Sequence, residues 1–339
     1  MTTEIQPSPR RATSADVARK AGFSRSTVSQ ILNGEDARFP AATRDKVMAA
    51  AAALDYRPSR AGRALVTGLS DIVVVVVPNA TYGPHLQDSV DRVTNASATA
   101  GMSVVVRFAA PDDEGTLLSM LDLRPAAVVD MGVFTQAQRA RLTAAGTRVV
   151  PNRTPLNPGE DLDPVDILIG RLQVAELLRT GVRRLVYAAL EDGRLDPFGP
   201  PRFEGITREA SARGLPTPLS VRVPLEARGA LAVLEPLVVD DSPLGVCCYN
   251  DDVAIALLSA ARTIGLAVPQ QLALVGVDRT DVGQLISPRL STVSIDQPAL
   301  MDTMMRELAE PRGGRGEPAP SLLQADLAAL VQVVRGETS

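Results

Sequence analysis

Tryptophan is absent from this chain of 339 residues, aromatic residues make up 3% of it, and His85 is its one histidine. The two cysteines, Cys247 and Cys248, are adjacent, and adjacent cysteines rarely reach disulfide geometry. We therefore expect both to be reduced core residues, as is usual inside cells. These three residues do not form a metal-ligand set, so the sequence predicts no metal site and no cofactor.

A long apolar run is also lacking. The apolar run 72–78 is short, whereas a helix needs about 20 residues to span a bilayer. The first residues, MTTEIQPSPRR, do not contain the apolar centre of a signal peptide. The sequence thus predicts a cytoplasmic protein with no membrane partner.

Common enzyme motifs are missing as well. The sequence contains no glycine-rich loop that would cradle a phosphate, no paired nucleophile and base, and no metal set. We therefore predict that the chain is not an enzyme and has no catalytic residue. Two alternatives stay open, namely an α/β enzyme that uses Asp251 or Asp278 as acid or base, and a solute-binding protein.

What is present begins with residues 13–34, TSADVARKAGFSRSTVSQILNG. Two short amphipathic runs flank Gly22, and a hydroxyl residue precedes each run, which is typical of a helix-turn-helix. Thr13 is expected to cap the first helix, with Asp16 completing a capping box, and Ser24 to cap the second. The apolar positions of the second helix face inward, and its outward face carries Arg25, Ser26, Ser29, Gln30 and Asn33.

A third predicted helix, 41–54, closes a core of about fifty residues, which is small for independent stability. An ordinary three-helix bundle with a polar surface is the alternative interpretation. The basic segment 56–65 follows, and it is too short to persist as a helix alone in water. Such a segment folds only against another surface.

A dense set of residues in this region matches a known pattern. The matching residues are Asp16-Val17-Ala18, Ala21-Gly22, Ser24, Thr27-Val28-Ser29, Leu32-Asn33-Gly34, Thr43-Arg44, Val47, Leu54, Tyr56-Arg57-Pro58, Ala61, Arg63-Ala64-Leu65 and Gly68. Through them, residues 13–68 resemble the DNA-binding headpiece and hinge of the LacI/GalR family of bacterial repressors.

The resemblance implies that the second helix reads base edges in the major groove, while the hinge folds in the minor groove of a two-fold, palindromic operator in double-stranded DNA. It assigns base reading to Arg25, Ser26 and Gln30. The implied contacts to the DNA backbone are Thr13, Ser24, Thr27, Ser29, Asn33, Thr43, Tyr56 and Arg57. The implied minor-groove residues of the hinge are Ser59, Gly62, Arg63 and Leu65, the last as a wedge.

Two departures from the family pattern matter. Gln30 stands where many relatives carry arginine, and glutamine pairs with adenine where arginine favours guanine, so we expect a different operator. Gly62 lies inside the hinge, where glycine costs about 1 kcal/mol relative to alanine, so we expect a hinge that is weakly ordered off DNA.

Charge is divided unevenly along the chain. Residues 1–65 have a net charge of +5 and the remainder a net charge of −9, within a total of −4. The basic end suits phosphate and the acidic remainder does not, so binding to DNA should fall steeply with salt.

From residue 71 onward, predicted strands and helices alternate, which indicates two lobes with parallel sheets. The predicted strands are 71–78, 102–108, 126–132, 147–152, 184–190, 220–224, 244–250, 272–278 and 327–335. The predicted helices are 86–100, 114–123, 165–180, 202–213, 227–239, 251–264 and 297–310.

This part also carries matching residues, although fewer. They are Asn250-Asp251, Val275-Gly276-Val277-Asp278, Pro288, Leu290-Ser291-Thr292-Val293, Arg202 and Gly205. It resembles the family's effector domain, an α/β fold similar to the periplasmic sugar-binding proteins, with a cleft lined by the C-terminal ends of strands. The implied effector contacts are Arg202, Asn250 and Asp278 from the second lobe, and Tyr82, His85 and Asn152 from the first.

Each assignment has a structural alternative. Arg202 could pair with Glu204 or Asp251 on the surface, and Asp278 could cap the next turn. Tyr82 and His85 could be ordinary loop residues. Because the pattern departs from the family at several of these positions, the effector could be a sugar, an anionic metabolite, or lost altogether.

The expected organisation is a helix-turn-helix headpiece at 1–57, flexible over 1–12, and a hinge helix at 58–68. The N-terminal lobe of the effector domain is expected at 69–163 plus 295–312, and the C-terminal lobe at 164–294 plus 321–339. We predict a homodimeric repressor whose operator affinity is modulated by a small molecule in the cleft.

Overall fold

The computed structural model describes residues 12–32, 36–56, 70–78, 85–99, 101–109, 113–151, 162–194, 196–238, 242–309 and 324–339. Contacts between residues divide the chain into two compact units, Met1–Asp71 and Ile72–Ser339. The first unit is all-helical and the second is α/β, as the sequence predicts. None of the described helices is long and apolar enough to cross a membrane.

The described residues of the first unit form three α-helices, which are α1 (Ser14–Ala21), α2 (Arg25–Leu32) and α3 (Ala41–Ala53). The capping box of α1 forms between Thr13 and Asp16 as predicted, and Gly22 ends this helix at a φ of 76°. The core of the unit consists of small and branched residues, which are Val17, Ala18, Val28, Ile31, Val47, Ala50 and Ala51.

Among the described residues, the first sheet of the second unit has four parallel strands, β1 (Ile72–Val77), β2 (Ser103–Phe108), β3 (Ala127–Asp130) and β4 (Arg148–Val150). Their order is β2-β1-β3-β4. Because β1 lies inside the sheet and is covered on both faces, its valines 73–77 are all buried. Its helices are α4 (His85–Thr99), α5 (Asp113–Leu123) and α6 (Gln136–Ala144).

Six strands are described in the second sheet, β5 (Arg184–Leu190), β6 (Leu219–Val223), β7 (Leu244–Cys248), β8 (Leu272–Val277), β9 (Ser291–Ile295) and β10 (Val331–Val334). Their order is β10-β9-β8-β7-β5-β6, and all pairs are parallel except β10 with β9. The helices of this part are α7 (Pro164–Leu177), α8 (Gly199–Ala212), α9 (Ala227–Leu234), α10 (Asp251–Thr263) and α11 (Asp281–Leu285).

The chain returns to the first sheet after β9. Helix α12 (Gln297–Ala309) packs Met301, Met304 and Leu308 against the core around β1. Helix α13 (Gln324–Leu330) then leads into β10 on the second sheet. The chain therefore passes between the two sheets more than once. This is the arrangement expected of two lobes joined by several crossings.

The sequence prediction was wrong near the C-terminus. A strand was expected over 327–335, but α13 extends to Leu330 and the strand covers Val331–Val334 only. Leu327 and Val331 are buried four residues apart, a helical spacing, so the apolar pattern here was shared between a helix and a strand. The antiparallel direction of β10 and the helices α6 and α11 were not predicted either.

Candidate functional site

The outward face of α2 is polar and accessible. Arg25, Ser26 and Ser29 are exposed and Gln30 is half-buried, whereas Val28 and Ile31 on the opposite side are buried. Val28 and Ile31 lie at helical spacing and pack the opposite face of α2 against the core of the first unit. The predicted base-reading residues thus share one accessible helix face.

The hydroxyl residues that flank α1 and α2 are engaged in capping. The Thr13 hydroxyl donates to the Asp16 carboxylate across 2.6 Å and accepts from the Asp16 amide across 3.4 Å. The Ser24 hydroxyl accepts from the Thr27 amide across 3.1 Å. Their predicted role toward DNA phosphates would therefore be combined with holding the helix ends.

The remaining predicted site residues of the headpiece and first lobe are placed as follows. Thr43 and Tyr56 are half-buried, and Tyr56 packs against the core of the first unit. His85 is the first residue of α4, and its backbone alone is described. Outside the described residues lie Asn33, Arg57, Ser59, Gly62, Arg63, Leu65, Tyr82 and Asn152.

Arg202 is buried at the start of α8, near the C-terminal end of β7. Its Nε donates to Oδ1 of Asp166 on α7 across 2.7 Å, and its Nη1 donates to the backbone carbonyl of Tyr249 across 2.6 Å. The alternative that Arg202 pairs with Glu204 or Asp251 on the surface was wrong, because Glu204 pairs with Arg208 and the partner of Arg202 is the buried Asp166.

Two glycines allow this ion pair to form. A β-carbon at Gly205 on α8 would overlap the carbonyl oxygen of Ile167, and one at Gly170 on α7 would overlap the carbonyl oxygen of Arg202. The two helices therefore cross with their backbones in contact. This close crossing brings the start of α8 beside the start of α7, where Asp166 lies.

Aromatic rings surround the Arg202 guanidinium. The ring centres of Phe198 and Tyr249 lie 5.5 and 5.2 Å from its central carbon, within the range of cation–π attraction. Burial alone would lower the pKa of Arg202, but Asp166 and Asp278 raise it above its ordinary value. The side chain is thus a fixed, fully charged element of the site.

Asn250 and Asp278 follow neighbouring parallel strands, β7 and β8. Asn250 is the N-cap of α10, and its Oδ1 accepts from the Val253 amide across 3.0 Å. Asp278 and Arg279 both have positive φ, 98° and 50°, which is unusual for residues with side chains. Asp278 does not cap the next helix, because Thr280 is the N-cap of α11.

Asp251 is fully buried beneath this turn. Its Oδ2 accepts from the Thr280 amide across 2.7 Å and from the Thr280 hydroxyl across 3.0 Å, and its Oδ1 accepts from the Thr292 hydroxyl across 2.7 Å. Burial raises the pKa of Asp251 to about 6, against the opposing effect of these hydrogen bonds. Asp251 therefore joins α10, the turn after β8, and β9.

The first sheet has a comparable buried carboxylate at the C-terminal end of β3. Asp130 Oδ1 accepts from three successive backbone amides, of Gly132, Val133 and Phe134, at 3.1, 2.7 and 3.3 Å. Arg139 on α6 bonds both Asp130 and the carbonyl of Pro151, which follows β4. This network fixes the two segments that leave neighbouring strands at the same sheet edge.

A cavity of about 740 Å³ lies beside the turn after β8. Its described lining includes Arg279 and Asp281 from the turn and α11, Glu226 and Asp252 from the α9 and α10 region, and Asp88 from α4. Acidic side chains outnumber basic ones in this lining. Among the described residues, the lining does not include Arg202, Asn250 or Asp278, so this space is next to the candidate effector site and not within it.

Three residues of this site were missed at the sequence level. Asp166 follows Asp163-Pro164, a helix-start signal, yet nothing in the sequence says which acidic residue meets Arg202. Phe198 and Tyr249 are far apart in the sequence, and only the placement of α8 near the C-terminal end of β7 brings both rings to Arg202. In a chain with few aromatic residues, their position at the ends of elements was the available signal.

The chain matches known families in both of its parts. Residues 13–59 match the model of the bacterial regulatory proteins of the lacI family, and residues 174–329 match the model of a periplasmic binding protein-like domain. The match to the second model agrees with the fold class predicted from the sequence.

Curated relatives cover nearly the whole chain. The transcriptional regulator CelR of Thermobifida fusca is 31% identical over 317 residues, which are 88% of this chain and 90% of the relative. The transcriptional regulator reg1 of Streptomyces lividans is 28% identical over 348 residues, 96% of each chain. Both are regulators of transcription and not enzymes, in agreement with the prediction that this chain is not an enzyme.

Solved structures share the fold. A lac repressor dimer bound to operator and the anti-inducer ONPF has a TM-score of 0.71 at 23% identity, and the match covers 97% of this chain and 99% of that one. A complex of the regulator CelR with cellobiose has a TM-score of 0.60 at 22% identity and covers 97% and 100%. The chain belongs to the LacI family of bacterial transcriptional regulators, with an N-terminal DNA-binding region followed by a periplasmic-binding-protein-like effector-binding domain.

Proposed function

We propose that the chain is a repressor that binds a two-fold operator as a homodimer, and that a small molecule between its two lobes alters the operator affinity. The observation that carries the proposal is the exposed polar face of α2, held by a buried apolar face. In this proposal Arg25, Ser26 and Gln30 read base edges, since all three belong to that accessible face.

Two exposed apolar patches support the homodimer. On β2, one of the two outer strands described in the first sheet, Val105, Val106 and Phe108 are 44, 39 and 56% exposed. On α11, Val282 and Leu285 are 59 and 84% exposed. Exposed apolar patches mark interaction sites, and a two-fold axis would bury the same patches on both copies.

The charges around Arg202 favour an uncharged effector over an anionic one. The Arg202 charge is already matched by Asp166, and Asp278 and Asp251 add carboxylates at the same sheet edge. An anion would therefore meet net negative charge, whereas the hydroxyl groups of a neutral ligand can donate to carboxylates and its C–H groups can pack on the rings of Phe198 and Tyr249. A CelR relative was solved with cellobiose. A neutral polyhydroxylated molecule such as a sugar is the effector class we propose.

The proposal keeps the two lobes with the bounds expected from the sequence. The N-terminal lobe comprises 69–163 plus 295–312, and the C-terminal lobe comprises 164–294 plus 321–339. Arg202, Asn250 and Asp278 bind the effector from the second lobe. Tyr82, His85 and Asn152 contribute from the first.

The test is binding of the full chain to the DNA upstream of its own gene, followed by fluorescence anisotropy at two salt concentrations. We expect a complex that weakens steeply with salt and that is lost when one half-site is scrambled. Arg25→Ala should weaken binding more than Lys20→Ala, because both remove one positive charge but Lys20 lies on α1. Mass photometry should report a dimer.

Addition of a panel of neutral mono- and disaccharides, including cellobiose, tests the effector. We expect at least one sugar to change the operator affinity and sugar phosphates to have less effect. Equal losses in the Arg25 and Lys20 variants would contradict the assignment of α2. A response to anionic metabolites alone would contradict the proposed effector class.

A further inference from the structure

We propose that Asp251 is a positioning residue for the effector: it holds Asp278 in its binding geometry without touching the ligand and ties this geometry to β9. The inference rests on the proposed function, in which Asp278 contacts the effector. Asp251 is fully buried, so any influence on the ligand passes through the residues to which it is bonded.

The turn that carries Asp278 needs external support. Asp278 and Arg279 are two successive non-glycine residues at positive φ, a strained conformation that persists only where the surrounding structure holds it. The Asp251 carboxylate receives two hydrogen bonds from Thr280, the residue that follows. It thereby fixes the exit of the turn.

Thr292 supplies the second half of the support. Its hydroxyl donates to Asp251 and accepts from the Arg279 amide across 3.2 Å. The turn is therefore anchored to β9, and β9 is the strand from which the chain passes through Asp296 to α12 on the first sheet. A ligand that moves Asp278 acts on this crossing strand directly, because the Asp278 amide donates to the Val293 carbonyl across 3.0 Å, and a second time through Asp251 and Thr292.

The fit around the carboxylate is specific. A β-carbon at Gly276 on β8 would overlap Oδ1 of Asp251, and one at Gly283 on α11 would come within 3.1 Å of Oδ2. Both glycines leave room for the carboxylate where a side chain would displace it. Gly276 and Gly283 thus leave the space that the Asp251 carboxylate occupies in this one position.

The test uses the full chain with two matched threonine variants. Thr292→Val keeps the shape of a buried threonine but removes both hydrogen bonds, while Thr292→Ser keeps the hydroxyl. Thr338→Val is the control, because Thr338 is also fully buried and its hydroxyl also makes two hydrogen bonds, to Leu274 and Ser291 and not to the turn.

The first measurement needs no ligand. Hydrogen exchange at the Thr280 amide, which is bonded to Asp251, should become about tenfold faster in Thr292→Val and in Asp251→Asn. It should stay close to the wild-type rate in Thr292→Ser and Thr338→Val. Unchanged exchange in Thr292→Val overturns the proposal whichever sugar binds.

The second measurement is calorimetric binding of cellobiose and the other sugars of the panel. Affinity should fall about tenfold in Thr292→Val, as expected for loss of one hydrogen bond to a charged group, and recover in Thr292→Ser. An equal fall in Thr338→Val would show a general effect of stability and overturn the proposal. If no sugar binds the wild-type chain, the proposed effector class fails first, and the inference fails with it.

Discussion

The Arg202 guanidinium and the Asp166 carboxylate are joined across 2.7 Å, with less than a tenth of either side chain exposed. The pair links α8 to α7 beneath the aromatic rings of Phe198 and Tyr249. It positions a permanent positive charge at the sheet edge where the effector is proposed to bind. The burial of this charge depends on a partner from another helix.

Removal of Asp166 should therefore be costly. Asp166→Ala leaves Arg202 buried without its partner, and we expect the free energy of unfolding to fall by about 3 to 5 kcal/mol. Urea denaturation of the effector domain within the full chain measures this change. Glu204→Ala is the control, because it removes an exposed ion pair to Arg208 on the same helix and should cost less than about 1 kcal/mol. If Asp166→Ala and Glu204→Ala lowered the free energy of unfolding equally, burial of the ion pair would not be the cause of the larger loss.

Gly205→Ala should disturb the crossing of α7 and α8. The new methyl group would overlap the carbonyl oxygen of Ile167, so the helices must move apart, at a cost of about 1 to 3 kcal/mol. Gly193→Ala provides the comparison, since nothing lies within 4 Å of a β-carbon at that position. Thermal unfolding of both variants tests the prediction, and it fails if Gly193→Ala is as destabilising as Gly205→Ala.

Stability should depend on pH through Asp251. Burial raises the pKa of its folded form to about 6, above the ordinary value of a carboxyl, so between these values the folded chain holds a proton that the unfolded chain has lost. The stability that this proton contributes to the folded chain is fully present below the ordinary pKa of a carboxyl. It is lost as the pH rises through about 6. The difference between the folded and the ordinary pKa of Asp251 corresponds to a change of about 3 kcal/mol at most in the free energy of unfolding.

Urea denaturation at pH 4.5 and pH 7 measures this effect in the wild type and in Asp251→Asn, which cannot titrate. The stability of the wild type relative to Asp251→Asn should decrease toward pH 7. Asp252→Asn, which removes an exposed carboxylate one residue later, should keep the pH dependence of the wild type. A wild-type curve parallel to that of Asp251→Asn would rule out the prediction.

Gln30→Arg should change which base the α2 face selects. Glutamine pairs with adenine through two hydrogen bonds and arginine pairs with guanine, with about 1 to 3 kcal/mol of discrimination for each pair. Selection from operators randomised at each position should show one adenine position replaced by guanine in both half-sites. Gln138→Arg on α6, outside the DNA-binding unit, should leave the selected sequence unchanged.

Much of the fold could be predicted because local patterns agree with the final structure. The strand over 184–190 has the predicted bounds, and the helix predicted over 251–264 is one residue longer than Asp251–Thr263. Runs such as β1, buried on both faces, have no competing helical interpretation because they are short and β-branched. Prediction failed where elements are short or mixed, as for α11 and the junction of α13 with β10.

The site was predicted less completely. Arg202, Asn250 and Asp278 were identified by resemblance to the family, and the structure brings Arg202 and Asp278 close enough for the charge of one to shift the pKa of the other. Their partners depend on tertiary packing. Asp166 reaches Arg202 only because two glycines let two helices touch, and Thr292 reaches Asp251 only through the parallel pairing of β8 and β9.

The exposed valines of β2 favour aggregation of newly synthesised chains. An outer strand rich in exposed valine and phenylalanine is a template on which further strands can stack, which is how aggregation begins. In the proposed homodimer, a chain that has not yet met its partner would carry these side chains exposed. High rates of synthesis should therefore produce aggregates that start at Val105 and Val106, and Val105→Lys or Val106→Lys should raise the soluble yield while it weakens the proposed dimer.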